Sequence, residues 1–141
     1  MTTVAIFDRD DTLADTASNS GKIGFRRMDD YNKAMVDDPV RPGAVAWWES
    51  VPPGVDRAVV TGRYESSRPY LEEWLDKNGL HPDVTIMRPD GDNRPNAEFK
   101  SSATDELLQT YDSVLYAMDD NPKALTMYQD RGIVAVDATK V

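Results

Sequence analysis

The sequence predicts a three-layer, Rossmann-like α/β fold with a mostly parallel five-stranded sheet and a minimal cap. Five apolar runs of strand length alternate with segments that carry apolar residues at helical spacing. Such alternation favours parallel strand pairing, with helices on both faces of the sheet. The 141 residues suffice for one domain, and neither a repeat nor a linker divides them. We therefore expect a single domain over residues 1–141.

The first predicted strand spans residues 4–7 and is a continuous run of Val, Ala, Ile and Phe. Such a run is typical of a parallel strand buried on both faces. Residues 14–40 are expected to form a short cap or flap. Within them, Gly, Ser and Asn predict a loop over residues 14–24, and residues 25–36 predict a short helix that stops before Pro39.

Beyond residue 40, helical and strand patterns alternate strictly. The predicted helices span residues 44–51, 65–78, 101–111 and 123–131, and the predicted strands span residues 57–63, 84–87, 114–118 and 133–136. Pro122 suits the first turn of a helix, and Gly79 suits a helix end. Ser101 or Ser102 suits the N-cap of the third of these helices, which leaves residues 88–96 as a charged loop.

Composition excludes several classes of protein. The 25 acidic and 16 basic residues give a net charge of −9, which argues against broad coating of nucleic acid but permits binding of one strand end in a local groove. Without cysteine there is neither a thiol nucleophile nor a thiolate metal site, and the single histidine, His81, is expected at the surface. Signal-peptide and membrane-span patterns are lacking, so a cytoplasmic location is expected.

An acidic cluster follows the first strand, and a second follows the fourth. Asp8, Asp10 and Asp11 are expected to meet Asp119 and Asp120, because the carboxyl ends of parallel strands lie at one edge of the sheet. At ~4 Å and an effective dielectric constant of ~20, each carboxylate pair repels by ~4 kcal/mol. Such a cluster needs a cation, and oxygen ligands favour magnesium.

Further polar groups are expected in the same cleft. Thr61 lies in the second predicted strand, and Arg88, Arg94 and Lys100 follow the third. Carboxylates, a magnesium ion, a lysine and a hydroxyl suit phosphoryl transfer, in which one carboxylate attacks phosphorus and another moves the proton. The ordinary alternatives remain open at this point, since acids after strands often cap loops or helices, and lysines and arginines usually face solvent.

Four segments resemble the four motifs of the haloacid dehalogenase superfamily, in the same order. They are Asp8-x-Asp10-x-Thr12, Thr61, Lys100 and Asp119-Asp120. More narrowly, residues 88–100 resemble the third-motif region of the 3′-phosphatase domain of phage polynucleotide kinase, and Thr61-Gly62-Arg63 resembles the Ser-Gly-Arg turn of that family. The sequence departs from the family at Asn96, where Asp is usual, and at Asp11, where Gly is usual.

The resemblance implies a role for each matching residue. Asp8 would be the nucleophile and a magnesium ligand, and Asp10 the general acid and base, with its backbone carbonyl also facing the metal. Asp119 would be a further ligand, with Asp120 supporting it or reaching the metal through water. Thr61 and Lys100 would hold the phosphate. The candidates for contact with the rest of the substrate are Arg63, Arg88, Asp92 and Arg94.

The function expected from this resemblance is a magnesium-dependent phosphatase that acts through an aspartyl-phosphate, with the phosphorylated 3′ end of DNA or RNA as its substrate. Two alternatives remain: a phosphatase for nucleotides or small metabolites, and a non-catalytic binding domain. No phosphate-binding loop of the G-x-x-x-x-G-K-[ST] type occurs in the sequence, so the phosphatase is expected to stand without a kinase half. The short insert would leave the cleft open to a bulky strand end.

Overall fold

Five strands form one sheet in the computed structural model, which describes residues 2–141. The strands are β1 (Thr3–Phe7), β2 (Val55–Tyr64), β3 (Val84–Arg88), β4 (Ser113–Asp119) and β5 (Ala135–Asp137). Their order in the sheet is β3-β2-β1-β4-β5, and every neighbouring pair is parallel. The predicted α/β fold with a five-stranded sheet is therefore confirmed.

Helices cover both faces of the sheet. They are α1 (Met28–Ala34), α2 (Pro42–Glu49), α3 (Arg68–Lys77), α4 (Asn96–Thr110) and α5 (Pro122–Asp130). Trp48 of α2 and Trp74 of α3 pack with Phe7 on one face, whereas Phe99 of α4 and Tyr128 of α5 pack on the other. Burying a large apolar side chain contributes about 1.5–3 kcal/mol, so these two cores hold the three layers together.

The central strand β1 is buried on both sides, as its continuous apolar run predicts. Val4, Ala5, Ile6 and Phe7 are all at most 1% exposed. Phe7 pairs in register with Val59 of β2 and with Met118 of β4. The residues that follow β1 and β4 consequently emerge side by side at the carboxyl edge of the sheet.

Several predicted element boundaries are wrong. Helix α4 begins at Asn96, directly after Pro95, rather than at Ser101 or Ser102. Pro95 supplies the extended conformation before the helix, with φ −52° and ψ 145°, so Lys100 lies on a helix and not in a loop. Strand β2 is longer than expected, because it begins at Val55 and continues to Tyr64.

Another wrong boundary is the start of β5, which begins at Ala135 and not at residue 133. The closing turn of α5 reaches into this region, because Gly132 adopts φ 74° and the amide of Ile133 donates to the carbonyl of Tyr128. A left-handed residue directly after a helix is the usual way of closing its last turn. Residues 133 and 134 thus still belong to the connection.

The insert over residues 14–40 contains only short helical pieces. Helix α1 is flanked by 3₁₀ turns at Phe25–Arg27 and Met35–Asp37, so the single predicted helix over residues 25–36 is divided into three. An antiparallel bridge between Ala14 and Val40 joins the two ends of the insert. Among residues 2–141, no helix is long and apolar enough to cross a membrane.

Candidate active site

Asp8 is the first residue after β1, and its position is fixed from three directions. Its amide donates to the carbonyl of Met118 at 3.0 Å, which ties it to β4. One carboxylate oxygen accepts from the hydroxyl of Thr12 at 3.2 Å, and the other lies 3.0 Å from the ammonium of Lys100. The residue is 6% exposed and lines a cleft, so one reactive group faces outward from a largely buried position.

Two further carboxylates approach Asp8 from the end of β4. Oxygens of Asp8, Asp119 and Asp120 all lie within 4.8 Å of one another. Asp119 is fully buried and lies 2.5 Å from the ammonium of Lys100. The cap of α5 is Asn121, whose side chain accepts from two helix amides, so neither Asp119 nor Asp120 is needed for capping.

The cluster shifts the proton affinities of its own members. Burial, together with the nearby charge of Asp119, raises the pKa of Asp8 well above its ordinary value. Burial also raises the pKa of Asp120, and the charge of Asp119 adds to the effect. For Lys100, burial opposes the charged form, but the carboxylates of Asp8 and Asp119 outweigh it and raise the pKa.

This donor set fits a hard divalent cation. Three carboxylates converge on one point, and carboxylate oxygens are the preferred ligands of Mg²⁺. A single buried ammonium balances only part of their charge, as the raised pKa of Asp8 indicates. A bound cation would relieve both the repulsion and the loss of hydration.

Asp10 occupies a different environment from Asp8, although only one residue separates them. Its side chain is 29% exposed and accepts hydrogen bonds from Arg63 Nε at 2.9 Å and from Arg9 Nη1 at 2.8 Å. Burial alone would raise the pKa of Asp10, but the guanidinium groups of Arg63 and Arg9 outweigh it and lower the pKa. The pKa of Asp8 is therefore raised, whereas the pKa of Asp10 is lowered.

Thr61, Gly62 and Arg63 reach the cleft along β2. Thr61 is buried, and its hydroxyl accepts from the amide of Arg63 at 3.2 Å. A Cβ atom on Gly62 would lie 2.6 Å from Oδ1 of Asn96, so only glycine fits without a shift of that side chain. Packing against Asn96 thus explains the glycine at position 62, and the residues on either side of it bring polar groups to the cleft.

The three other predicted substrate contacts lie in the wall of the cleft and bind chiefly one another. Arg88 is 8% exposed and donates to the carbonyls of Gly62 and Arg94 and to Oδ1 of Asn96. Asp92 pairs with Arg94 at 2.7 Å. Hydrogen bonds from Arg94 lower the pKa of Asp92 to about 2. Arg88 therefore stabilises the loop after β3, whereas Arg94 keeps a partly exposed guanidinium at the cleft.

The cleft has a volume of about 570 Å³ and brings most of the predicted residues together. Asp8, Asp10, Thr61 and Asp120 line it, while Lys100 and Asp119 lie behind Asp8. The residues that line the cleft and that sequence reasoning missed include Phe25, Met28, Tyr31 and Asn32 of the insert. An aromatic residue directly after a polar loop was the available signal for Phe25, which is 72% exposed at the cleft.

The conformation of Asp11 accounts for the departure from the family pattern at this position. Asp11 has φ 58°, a left-handed conformation that glycine adopts at less cost. Its side chain accepts from the amide of Thr16 at 3.1 Å and from the hydroxyl of Thr16 at 2.7 Å. These two bonds offset the strain that a side chain brings to this position, since aspartate tolerates the left-handed region through such local contacts.

The parallel sheet, with an acidic cluster and a lysine at its carboxyl edge, defines a phosphatase domain of the haloacid dehalogenase superfamily. The family model of the polynucleotide kinase PNKP phosphatase domain matches residues 2–140. The chain therefore belongs to that family. No curated protein sequence matches the chain.

Solved structures share the fold at low sequence identity. A chain in the structure of the Pnkp1/Rnl/Hen1 RNA repair complex aligns with a TM-score of 0.83 and 19% identity, covering 97% of this chain and 42% of that one. A class C acid phosphatase from Bacillus anthracis, with tungstate bound, gives a TM-score of 0.68 and 16% identity, covering 93% of this chain and 62% of that one.

A hydrolase from Streptococcus pneumoniae TIGR4 gives a TM-score of 0.64 and 15% identity, covering 94% of this chain and 90% of that one. In a second structure of the Pnkp1/Rnl/Hen1 complex, the aligned part is 46% of the matched chain. This chain thus spans less than half the length of the chains that it matches in that complex.

Proposed function

We propose that residues 1–141 act as one domain and form a magnesium-dependent phosphatase that removes the phosphate from the 3′ end of a polynucleotide. The observation that carries this proposal is that two aspartates in different environments, Asp8 and Asp10, line the same cleft. Asp8 is nearly buried within an acidic cluster, while Asp10 faces the cleft between two guanidinium groups. Such a division suits one carboxylate for attack and another for proton transfer.

In the first step, a carboxylate oxygen of Asp8 attacks phosphorus, and the bond from phosphorus to the ester oxygen breaks. Asp10 donates a proton to that leaving oxygen, so the product is an alcohol and the enzyme carries an aspartyl-phosphate. Asp10 must gain its proton before this step, because Arg63 and Arg9 favour the ionised form. A negatively charged phosphate in the cleft favours protonation, since a like charge raises the pKa of a carboxyl group.

In the second step, water attacks phosphorus, and Asp10 accepts the proton that the water loses. The bond from phosphorus to Asp8 breaks, which releases phosphate and restores the carboxylate. Lys100 holds Asp8 at 3.0 Å and offers positive charge to the phosphoryl oxygens, and the hydroxyl of Thr61 can donate to one of them. Such preorganised donors are often worth about 10²–10³-fold in rate each.

The metal would be held by Asp8, Asp119 and Asp120, with the backbone carbonyl of Asp10 as a further ligand. When bound, magnesium would neutralise charge on the phosphoryl oxygens and lower the repulsion that the nucleophile meets. The protein's own contribution is the placement of these oxygens by the ends of β1 and β4.

A strand end is the favoured substrate because the cleft is open and has an aromatic residue at its rim. Phe25 is 72% exposed there and lies 5.1 Å, between ring centroids, from Tyr31. An exposed aromatic ring can stack on a base, which is worth about 1–3 kcal/mol in single-strand binding. The likeness to a chain from an RNA repair complex supports the same choice.

The test compares phosphate release from a 3′-phosphorylated oligonucleotide, a 5′-phosphorylated oligonucleotide and a 3′-mononucleotide, each with magnesium and with a chelator. The highest kcat/KM is expected for the 3′-phosphorylated oligonucleotide, and the chelator should abolish the reaction. Preference for the mononucleotide would favour the nucleotide or metabolite phosphatase instead. Release from none of the three, with p-nitrophenyl phosphate also unreactive, would favour a binding domain.

A further inference from the structure

Arg9 lies between the two aspartates of the first motif, and its charge is fully buried. Its guanidinium donates to Asp10 at 2.8 Å, to Asp38 at 2.8 Å and to the carbonyl of Met35 at 2.7 Å. The guanidinium carbon lies 4.3 Å from the ring centroid of Trp74. Because a buried charge is costly unless it is paired, this set of partners indicates a specific role for the side chain.

Asp38 is the second centre of this network and lies near the end of the insert. Besides Arg9, its carboxylate accepts from the amide of Ser20 at 2.9 Å, from the hydroxyl of Ser20 at 2.7 Å and from the side-chain amide of Asn19 at 3.1 Å. Asp38 thereby gathers both halves of the insert around one buried carboxylate. Arg9 connects that carboxylate to Asp10.

Arg63 makes a parallel connection on the other side of Asp10. It donates to both carboxylate oxygens of Asp10 through Nε, at 3.0 and 2.9 Å, and to the hydroxyl of Ser20 at 3.1 Å. Its guanidinium lies 4.0 Å from the ring centroid of Tyr31. Two guanidinium groups thus reach Asp10, and each is held by the insert.

We propose that Arg9 is a positioning residue, which fixes the carboxylate of Asp10 beside the leaving oxygen. This inference rests on the proposed function. A general acid must lie about 2.6–3.2 Å from the oxygen that it protonates, and a displacement of about 1 Å can cost about 10²-fold. If Arg9 served only to stabilise the fold, its hydrogen bonds to Asp38 and Met35 would suffice, and the hydrogen bond to Asp10 would not be needed.

The leaving group separates a positioning role from a merely structural one. A nitrophenolate leaves readily without a proton, whereas the alkoxide of a sugar needs one. Loss of Asp10 placement should therefore slow hydrolysis of a 3′-phosphorylated oligonucleotide much more than that of p-nitrophenyl phosphate. General damage to the fold would slow both equally.

The experiment uses the double variant Arg9→Met/Asp38→Asn, with Asp38→Asn as its control. Arg9→Met alone leaves Asp38 buried without its charged partner, a change that is strongly destabilising. In the double variant, kcat/KM for the oligonucleotide should fall by about 30-fold or more, and kcat/KM for p-nitrophenyl phosphate by less than about 3-fold. The comparison uses kcat/KM because it reports only the first step, whereas the second step needs Asp10 equally for both substrates. Asp38→Asn keeps the bond from Arg9 to Asp10, so its ratio of the two rates should stay near that of the wild type.

If the double variant loses activity equally on the two substrates, the ratio of the two rates is unchanged, and the role of Arg9 is overturned. If the wild type hydrolyses neither substrate, the proposed function fails, and the inference fails with it. Should the double variant not fold by circular dichroism, Arg9→Lys decides by the same ratio. A lysine keeps the charge but cannot bridge Asp10, Asp38 and Met35 as the guanidinium does, so a selective loss on the oligonucleotide is again expected.

Discussion

Replacing Asp8 by asparagine should abolish turnover and yet stabilise the metal-free protein. Asparagine keeps the shape of the side chain and can still accept from Thr12, but it has no charge and cannot form the aspartyl-phosphate. Most substitutions at a buried polar site destabilise a protein. The opposite sign here follows from the acidic cluster around Asp8.

The magnitude follows from the distances. Asp119 and Asp120 lie within 4.8 Å of Asp8, so at an effective dielectric constant of about 20 each repels it by at least about 3.5 kcal/mol. Lys100 at 3.0 Å attracts it by about 5.5 kcal/mol on the same scale. The charges alone leave a small net repulsion, and burial of the carboxylate adds to it. We expect Asp8→Asn to raise the free energy of unfolding by about 1–3 kcal/mol at neutral pH.

The sign of the pH dependence follows from the raised pKa of Asp8. The folded protein holds a proton that the unfolded chain releases near pH ~3.9, so the wild type loses stability as the pH rises above that value. Asparagine lacks this proton. The free energy of unfolding of the Asp8→Asn variant should therefore not exceed that of the wild type below about pH 4. Above that pH, the difference between them should grow by at most about 1.4 kcal/mol per pH unit.

Urea unfolding followed by circular dichroism, with a chelator present, measures this difference at a series of pH values. Magnesium should then stabilise the wild type more than the variant, because a ligand stabilises the state that binds it. An asparagine variant that is no more stable than the wild type at neutral pH would refute the electrostatic reasoning. Turnover of p-nitrophenyl phosphate by the variant would refute the assignment of the nucleophile.

Three other substitutions test separate parts of the site. Lys100→Met leaves Asp8 and Asp119 without their buried cation, so the free energy of unfolding should fall by about 3–5 kcal/mol in urea at neutral pH; an unchanged value would show that the ammonium is dispensable. Asp10→Asn should slow release of phosphate from a 3′-phosphorylated oligonucleotide by about 10²–10⁴-fold in single-turnover assays, and a near-normal rate would exclude acid–base catalysis by Asp10. Phe25→Ala should raise KM for that oligonucleotide by about 5- to 150-fold and leave KM for p-nitrophenyl phosphate unchanged; a parallel rise for both would contradict base stacking.

Much of the fold could be predicted because its signals are local. The buried strands are continuous apolar runs, and Pro122 and Gly132 lie where α5 begins and ends. The start of α4 was missed because Ser101 and Ser102 have the chemistry of a cap, whereas Pro95 sets the backbone earlier in the chain. Serine is equally suited to the surface of a helix, where Ser101 accepts from Arg131.

The insert shows where local signals are insufficient. Its short helical pieces are held by bonds to Asp38 from residues far away in the sequence, so periodicity alone could not locate them. Arg9 is the clearest example. An arginine between two aspartates suggests a solvated ion pair, but in the fold it is fully buried against Trp74 and binds the carbonyl of Met35.

The predicted site residues could be found from the sequence for a different reason. Most of them follow a strand or lie close to the end of one, and parallel strands bring such positions to one edge of the sheet. Lys100 differs, because it lies on α4. Asp8 and Asp119 lie near opposite ends of the chain, and yet Lys100 contacts both. Side-chain direction could not be obtained in this way. The sequence does not show that Arg88, which lines the cleft, also donates to the carbonyls of Gly62 and Arg94.

The central place of β1 has a consequence for amide hydrogen exchange. Strands β2 and β4 flank β1 on both sides, and its four apolar residues are shielded from water by both helical layers. Such strands open only when the whole molecule unfolds, so their amides exchange last. Asp8, the proposed nucleophile, is therefore attached to the last segment expected to open, while the amides of the insert and of the loop after β3 are expected to exchange earlier.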